Sequence, residues 1–302
     1  MRVLIAGGTG FLGSNLARML STAGHEVIVL TRREPRAANQ RRWDGRSPDG
    51  WASLLAQVDA VVNTTGYGLE HWPWTAAQKR RFEESRVLPG AALVQALKSA
   101  ERRPHVFVQI SGINYYGYSG EGVADESYPA ADDFLARLAV RWEAATAPVK
   151  NLGVRHVVAR SAVVLDANDG LFPLMILPTK LWGGGPLGTG RQAVPWIHIE
   201  DEVRALQYLL ENDEASGAYN LIAPQATTNE EFMRAAAAAL HRPYWFRAPS
   251  ALLRAALGEM STLILEGRLS RPKRLQEAGF RFLYPTIETA LADLLGKKRR
   301  MS

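Results

Sequence analysis

The chain has 302 residues, 47% of them hydrophobic and 22% charged, with a formal net charge of +6 and no cysteine. That is apolar material for one large core or a core plus a satellite, and it excludes a globally disordered chain, disulfides, thiolate-bound zinc and a thiol nucleophile. The excess cations at 41–42, 79–81 and 297–300 are not interleaved with aromatics, so they read as solvated faces rather than a nucleic-acid surface, and no run approaches the roughly 18 apolar residues of a membrane span.

Residues 3–6 form a short apolar run ending at glycines, as a buried parallel strand does. Leu12, Leu16, Met19 and Leu20 follow at helical spacing, and Gly24 closes that helix. Further buried strands are expected at 27–30, 58–62, 106–110 and 154–159, with helices at 87–98 and 134–145 between them. Strands alternating with helices predict βαβ units. The expected fold is therefore α/β: a Rossmann-type doubly wound parallel sheet with a smaller C-terminal α+β substrate domain. After about residue 162 the pattern loosens. A short helix at 171–180, a strand at 194–199, a helix at 200–210, a strand at 219–222 and a helix at 229–240 capped by Asn229 are expected. Pro243, Pro249, Pro272 and Pro285 break the helical periodicity beyond that. The expected domains are 1–165, which also receives parts of 190–222, and 166–302, which includes a helical region at 247–296. No charged region, apolar region and cleavage site precede the first strand, so no signal peptide is expected and the cytoplasm is the expected compartment.

Gly7-Gly8-Thr9-Gly10-Phe11-Leu12-Gly13 directly follows an apolar strand and opens an amphipathic helix. In that context the glycine spacing marks a dinucleotide site: the backbone can approach a pyrophosphate, and the helix N-terminus offers free N–H groups and a positive dipole end. The second strand ends Leu30-Thr31-Arg32-Arg33, with no carboxylate for a ribose 2′-hydroxyl and two guanidinium groups suited to a 2′-phosphate. The expected cofactor is NADP(H), although Arg32 and Arg33 also read as exposed loop residues and Glu34 as a partial counter-charge. Asn63-Thr64-Thr65-Gly66, at the end of a strand, reads either as a ribose and pyrophosphate contact or as a plain turn.

In one order the chain carries the glycine turn, Val62–Gly66, Ser85-Arg86-Val87, Ser111 with Tyr115-Tyr116-Gly117, Asp133-Phe134-Leu135-Ala136 with Trp142-Glu143, and Pro195-Trp196-Ile197-His198-Ile199. Together they resemble the NAD-dependent epimerase/dehydratase-like branch of the short-chain dehydrogenase/reductase superfamily, and within it the atypical "epimerase family protein" group. The stretch from Arg271 through Tyr284-Pro285 resembles that group's C-terminal domain of unknown function. The resemblance implies cofactor contacts from Gly7, Thr9, Gly10, Phe11, Leu12, Gly13, Thr31, Arg32, Arg33, Asn63, Thr64, Thr65, Gly66, Arg86 and Ser111. It also implies a small-molecule substrate, nucleotide-linked in the sugar-nucleotide enzymes, and a homodimer as one expected state.

Active members of the superfamily carry Tyr-x-x-x-Lys, which sets an ammonium beside a phenol and favours the phenolate. None of the seven lysines has a tyrosine four residues before it. Phe134 and Leu138 stand where the pair is expected. Ser111 and Tyr116 remain as catalytic candidates, with Ser111 equally readable as a strand-end serine and Tyr115 as an alternative acid. Asp132 and Asp133 read as helix N-terminal charges or as a base. Arg191 reads as a substrate anion contact or a solvated hairpin tip, His198 reads as structural, and 71–74 reads as a loop over the site. The six histidines show no metal-ligand spacing. The function expected is an NADP(H)-binding oxidoreductase or nucleotide-sugar epimerase-like enzyme. The alternative is a non-catalytic NADP(H)-binding sensor or regulatory protein.

Overall fold

Apolar residues on both faces of the first strand decide the layering. In the computed structural model, which describes residues 1–118 and 122–296, β1 (Arg2–Ala6) sends Val3 and Ile5 into one core and Leu4 and Ala6 into another. A strand buried on both faces needs a helical layer on each side. The chain continues through α1 (Phe11–Thr22), β2 (Glu26–Thr31), β3 (Gln40–Arg42), β4 (Ala60–Asn63), α2 (Ala76–Ser99), β5 (Val106–Gly112), α3 (Phe134–Thr146) and β6 (Arg155–Ser161). It leaves the sheet for β7 (Val163–Leu165), α4 (Phe172–Met175), α5 (Leu177–Lys180), β8 (Trp196–His198) and α6 (Ile199–Glu211), then returns with β9 (Gly217–Leu221).

The main sheet is seven parallel strands in the order β3-β2-β1-β4-β5-β6-β9. Strand order reverses at β1, so the crevice outside the carboxyl ends of β1 and β4 is the topological switch point where such sheets bind ligands. The expected Rossmann-type doubly wound sheet is thus the observed one.

β7 and β8 pair in parallel as a separate two-stranded sheet. With α7 (Asn229–Ala239), α8 (Ser250–Leu257), α9 (Thr262–Leu265), α10 (Lys273–Glu277) and α11 (Ile287–Gly296) they form a smaller lobe around Phe172, Trp196, Phe232, Met233 and Leu291. The lobes share structure. Val203 and Leu206 of α6, and Leu275 and Phe280 near the C-terminus, pack into the same core as Val3 and Ile5.

Three elements depart from the pattern reading. The apolar stretch at 87–98 is only the second half of α2, because its first half is polar and its start is set by Thr75, whose hydroxyl accepts from the Gln78 N–H at 3.2 Å. The three polar residues of β3 carry no apolar signal. The cap of α7 is Thr228 rather than Asn229. Thr228 and Glu231 form a reciprocal capping box, and Asn229 instead accepts from the Leu187 N–H at 2.8 Å. The basic positions 297–300 lie outside the described residues.

Candidate functional site

The strand β1 ends at Gly7, whose φ of +81° is a left-handed conformation that favours glycine. A Cβ on Gly13 would lie 2.4 Å from the Gly7 carbonyl oxygen, and one on Gly7 would lie 2.9 Å from Thr64 Oγ1. Both glycines therefore keep α1, β1 and the end of β4 in close register. Thr64 tightens the seam by donating its hydroxyl to the Ala6 carbonyl at 2.9 Å. Helix α1 starts at Gly10 with no side-chain cap and no acidic residue in its first turn. Its first amides, including those of Phe11 and Leu12, have no partner within the helix and sit at its positive end. This is a cradle for a pyrophosphate.

A cleft of about 680 Å³ opens over that cradle, bordered by Gly7, Thr9, Gly10, Thr31, Arg32, Arg33, Thr64, Thr65 and Gly66. Thr9 and Thr31 hydroxyls lie 3.4 Å apart across its floor, and Thr31 accepts from the Arg33 N–H at 3.2 Å. Arg32 and Arg33 are exposed and make no ion pair among the described residues. Glu34 is turned to Arg42 at 3.2 Å, so it does not neutralise them. Arg46 and Arg81 also border the cleft, and sequence reading did not single them out. They arrive on the turn after β3 and on the polar half of α2. The signal for the turn was Trp43-Asp44-Gly45, where Asp44 accepts from the Arg46 and Ser47 N–H groups. Those bonds hold the Asp44 carboxyl below its ordinary range.

Asn63 is fully buried and does not border the cleft. It donates to Gln109 at 2.9 Å and accepts from Thr65, which shapes the turn. Arg86 is also buried, donating to the Tyr67 and Phe82 carbonyls and lying over the Trp142 ring. Burial pushes its guanidinium down to about 10. It braces the wall behind Gly66 and does not border the cleft.

Ser111 and Tyr116 come together, but in a closed network. Ser111 Oγ donates to Glu143 Oε1 at 2.8 Å, and Glu143 accepts from Nε and Nη2 of Arg160, each at 2.9 Å. Arg160 also donates to the Tyr116 hydroxyl, which donates to Asn220 at 2.8 Å. Tyr116 has no exposed surface, and burial pushes its phenol up to about 12. As placed, Tyr116 is a structural member of the crevice floor and reaches no open space. Tyr115 covers Arg160 with its ring at 3.4 Å.

The positions expected for the Tyr–Lys pair are packed. Leu138 is buried, and Phe134 meets Trp74 edge-on with the Lys79 ammonium 4.6 Å over its ring. Asp133 caps α3 through the Ala136 N–H, and Asp132 pairs with Arg137. His198 caps α6 through the Glu200 N–H and stacks on Tyr284, and burial lowers its pKa. Arg191 is exposed on a turn and borders neither the cleft nor the cavity described next. In the 71–74 loop, His71 stacks on Tyr67 at 4.1 Å while Trp72 is exposed. No cluster of metal-ligating groups occurs among the described residues.

Beyond the ends of β5 and β6 lies a small cavity of about 60 Å³, walled by Ile113, Asn114, Tyr118, Val163 and the segment 263–270. A wider groove of about 1420 Å³ lies between α1, α6 and the end of α11, and none of the glycine-turn residues borders it.

Comparison with known proteins agrees with this geometry. Residues 3–221 match the NAD dependent epimerase/dehydratase family, and residues 248–294 match a domain of unknown function, DUF1731. Epimerase family protein YfhF of Bacillus subtilis is 35% identical over 306 residues, covering 99% of both chains. Epimerase family protein SDR39U1 of Bos taurus is 37% identical over 300 residues, covering 98% of this chain and 100% of the relative. The crystal structure of human epimerase family protein SDR39U1 with NADPH superposes with a TM-score of 0.90 at 34% identity, covering 98% of this chain and 100% of that one.

Proposed function

The chain belongs to the NAD dependent epimerase/dehydratase family, and from that premise we propose that it binds NADP(H) in the glycine-turn cleft and acts as an oxidoreductase or epimerase-like enzyme without a Tyr-x-x-x-Lys pair. The observation that carries the cofactor choice is the pair of exposed guanidinium groups, Arg32 and Arg33, bordering the cleft with no ion partner among the described residues. A 2′-phosphate supplies the anion they lack, whereas a ribose 2′-hydroxyl does not. The NADPH in the human relative's structure supports the same reading.

In this reading the α1 amides and Gly7–Gly13 hold the pyrophosphate, with Thr9 at its side. Thr31, Arg32 and Arg33 hold the 2′-phosphate end, and Thr64, Thr65 and Gly66 line the ribose side. Bound reduced, the nicotinamide would supply a hydride. Ser111 and Glu143 keep the carboxyl end of β5 rigid. The substrate is a small molecule admitted between the two lobes.

The test is a calorimetric titration. NADPH is expected to bind at least tenfold more tightly than NADH. Arg32→Ala and Arg33→Ala are each expected to weaken NADPH about tenfold, the loss of roughly 1.4 kcal/mol from a charge-assisted hydrogen bond, while leaving NADH unchanged. Tighter binding of NADH by the unmodified protein sinks the assignment.

A second reading has one observation in its favour. The Ser111 and Tyr116 hydroxyls are both committed to the Glu143–Arg160 network, and the Tyr–Lys positions are apolar. That suits a non-catalytic NADP(H)-binding sensor. Tight NADPH binding with no oxidation across a panel of carbonyls and sugar nucleotides favours the sensor, and turnover favours the enzyme.

A further inference from the structure

We propose that the outer face of the smaller lobe, formed by α4, α5 and residues 242–247, docks on an anionic lipid bilayer surface. Its exposed rings and leucines would sit at the headgroup level and its cations on the lipid phosphates. The proposal is independent of the dinucleotide reading, since none of the residues that carry it borders the glycine-turn cleft.

Charge is the first observation. Residues 171–199 and 232–258 hold six Lys and Arg side chains and no Asp or Glu. The formal net charge of the whole chain is +6, so the rest of the sequence is balanced and the excess lies in these two segments of the smaller lobe. Arg234 and Arg254 have Glu230 and Glu266 as partners, whereas Lys180, Arg242 and Arg247 form no ion pair among the described residues. Those three stand beside the apolar side chains of the face.

The apolar side chains are the second observation. Seven of the thirteen large hydrophobic side chains exposed among the described residues lie in the same two segments, so apolar exposure is concentrated where the charge is. Along α4 and α5, Phe172, Ile176 and Thr179 turn inward and are fully buried. The opposite stripe, at Leu174, Leu177 and Leu181, is where a solvated helix carries polar groups, yet Leu181 is 70% exposed. Trp182, Trp245 and Phe246 continue from it. Trp245 Nε1 donates to the Trp182 carbonyl at 2.8 Å, and the Trp245 and Phe246 N–H groups both donate to the Gly184 carbonyl at 3.0 Å. The Trp245 side of the patch is the most open, at 74% exposure.

The third observation is conformational. Helix α5 ends in a Schellman turn: the Gly183 N–H donates to the Pro178 carbonyl at 2.8 Å, and the Trp182 N–H to the Thr179 carbonyl at 3.1 Å. The left-handed residue of such a turn is usually glycine, but here it is Trp182, with a φ of +69°. The fold thereby holds an exposed indole on this face, with the Arg242 guanidinium 4.3 Å over its ring.

These features select the occupant. Trp, Phe and Leu flanked by Lys and Arg settle at a membrane–water interface, and anionic headgroups add attraction for each cation. A second copy docked symmetrically would set the unpaired cations against their own kind. A nucleic-acid strand would use the rings and the cations but leave the leucine stripe without apolar cover. The contact is interfacial, because no helix among the described residues is long and apolar enough to cross a membrane.

The experiment floats the full chain with vesicles of phosphatidylcholine alone, or of phosphatidylcholine and phosphatidylglycerol in equal parts, and also follows tryptophan emission. Binding to the anionic vesicles is expected to be about tenfold tighter or more, with blue-shifted emission, and to weaken as salt rises from ~0.1 M to ~1 M. The double variant Trp245→Ser, Phe246→Ser and the single variant Lys180→Glu are each expected to weaken anionic-vesicle binding about tenfold, with far-UV circular dichroism unchanged. Equal binding of both kinds of vesicle, binding of neither, or anionic-vesicle affinity unchanged in either variant overturns the proposal. Self-association of the unmodified protein that is lost in the double variant gives the face to a second copy and overturns it too. So does a single-stranded oligonucleotide that displaces the anionic vesicles from the unmodified protein.

Discussion

A carboxyl group sealed away from water and from partners resists ionising. Glu202, on the buried face of α6, has no exposed surface, and neither of its oxygens has a hydrogen bond of ordinary geometry among the described residues. Its polar neighbour is Ser161 at the end of β6, and burial pushes its pKa up to about 8. In the unfolded chain a glutamate titrates near 4.3, so between that pH and about 8 the folded protein holds a proton that the unfolded chain has released. Stability therefore falls as pH rises through that window, by up to about 1.4 kcal/mol per unit from this group. Glu202→Gln is expected to flatten the decline and to leave the variant more stable than the parent at pH 9, with little difference at pH 4. Denaturant unfolding at the two pH values checks this. Equal pH slopes in parent and variant would show that Glu202 is solvated. Little at this position marked it out in the sequence, since Glu200-Asp201-Glu202 reads as an acidic first turn.

At the scale of elements, what was legible follows from burial. The strands β1, β2 and β5 are apolar on both faces, so even short runs stand out. The glycine turn was legible because its spacing, the strand before it and the helix after it all agree. β3 and the first half of α2 were not, because a polar surface element has no hydrophobic period to show. The site divides in the same way. Thr31, Arg32 and Arg33 belong to a strand end and could be placed, whereas Arg46 and Arg81 reach the site only through tertiary packing. The cap of α7 was misplaced by one residue, although the Thr228-to-Glu231 spacing of a capping box was present in the chain. Thr228→Ala is expected to destabilise the protein by about 1 kcal/mol, seen as a lower denaturant midpoint with an unchanged slope. A loss below about 0.2 kcal/mol would mean that packing alone holds this helix end.

The molecule as a whole has two lobes but a shared interior. Leu275 and Phe280 from the C-terminal region sit in one core with Val3 and Ile5, and Arg274 donates to the Ala218 backbone of β9. On the other side of the cleft, Lys79 of α2 pairs with Glu259, and Asp125 pairs with Arg271. Such coupling predicts one cooperative transition. Bound-NADPH fluorescence and far-UV circular dichroism are expected to be lost at the same denaturant concentration, and well-separated midpoints would show that the lobes melt independently.

The late return of β9 has a consequence for a chain still on the ribosome. β6 is complete at Ser161, but the strand that covers its edge begins only at Gly217, after the whole of β7, α4, α5, β8 and α6. At about 5–20 residues per second, several seconds of synthesis separate the two. Throughout that interval the nascent sheet ends in a strand with unpaired N–H and C=O groups, which is the geometry that recruits a neighbouring chain. The newborn protein is thus most open to mispairing after its nucleotide cradle has been made and before its sheet can close.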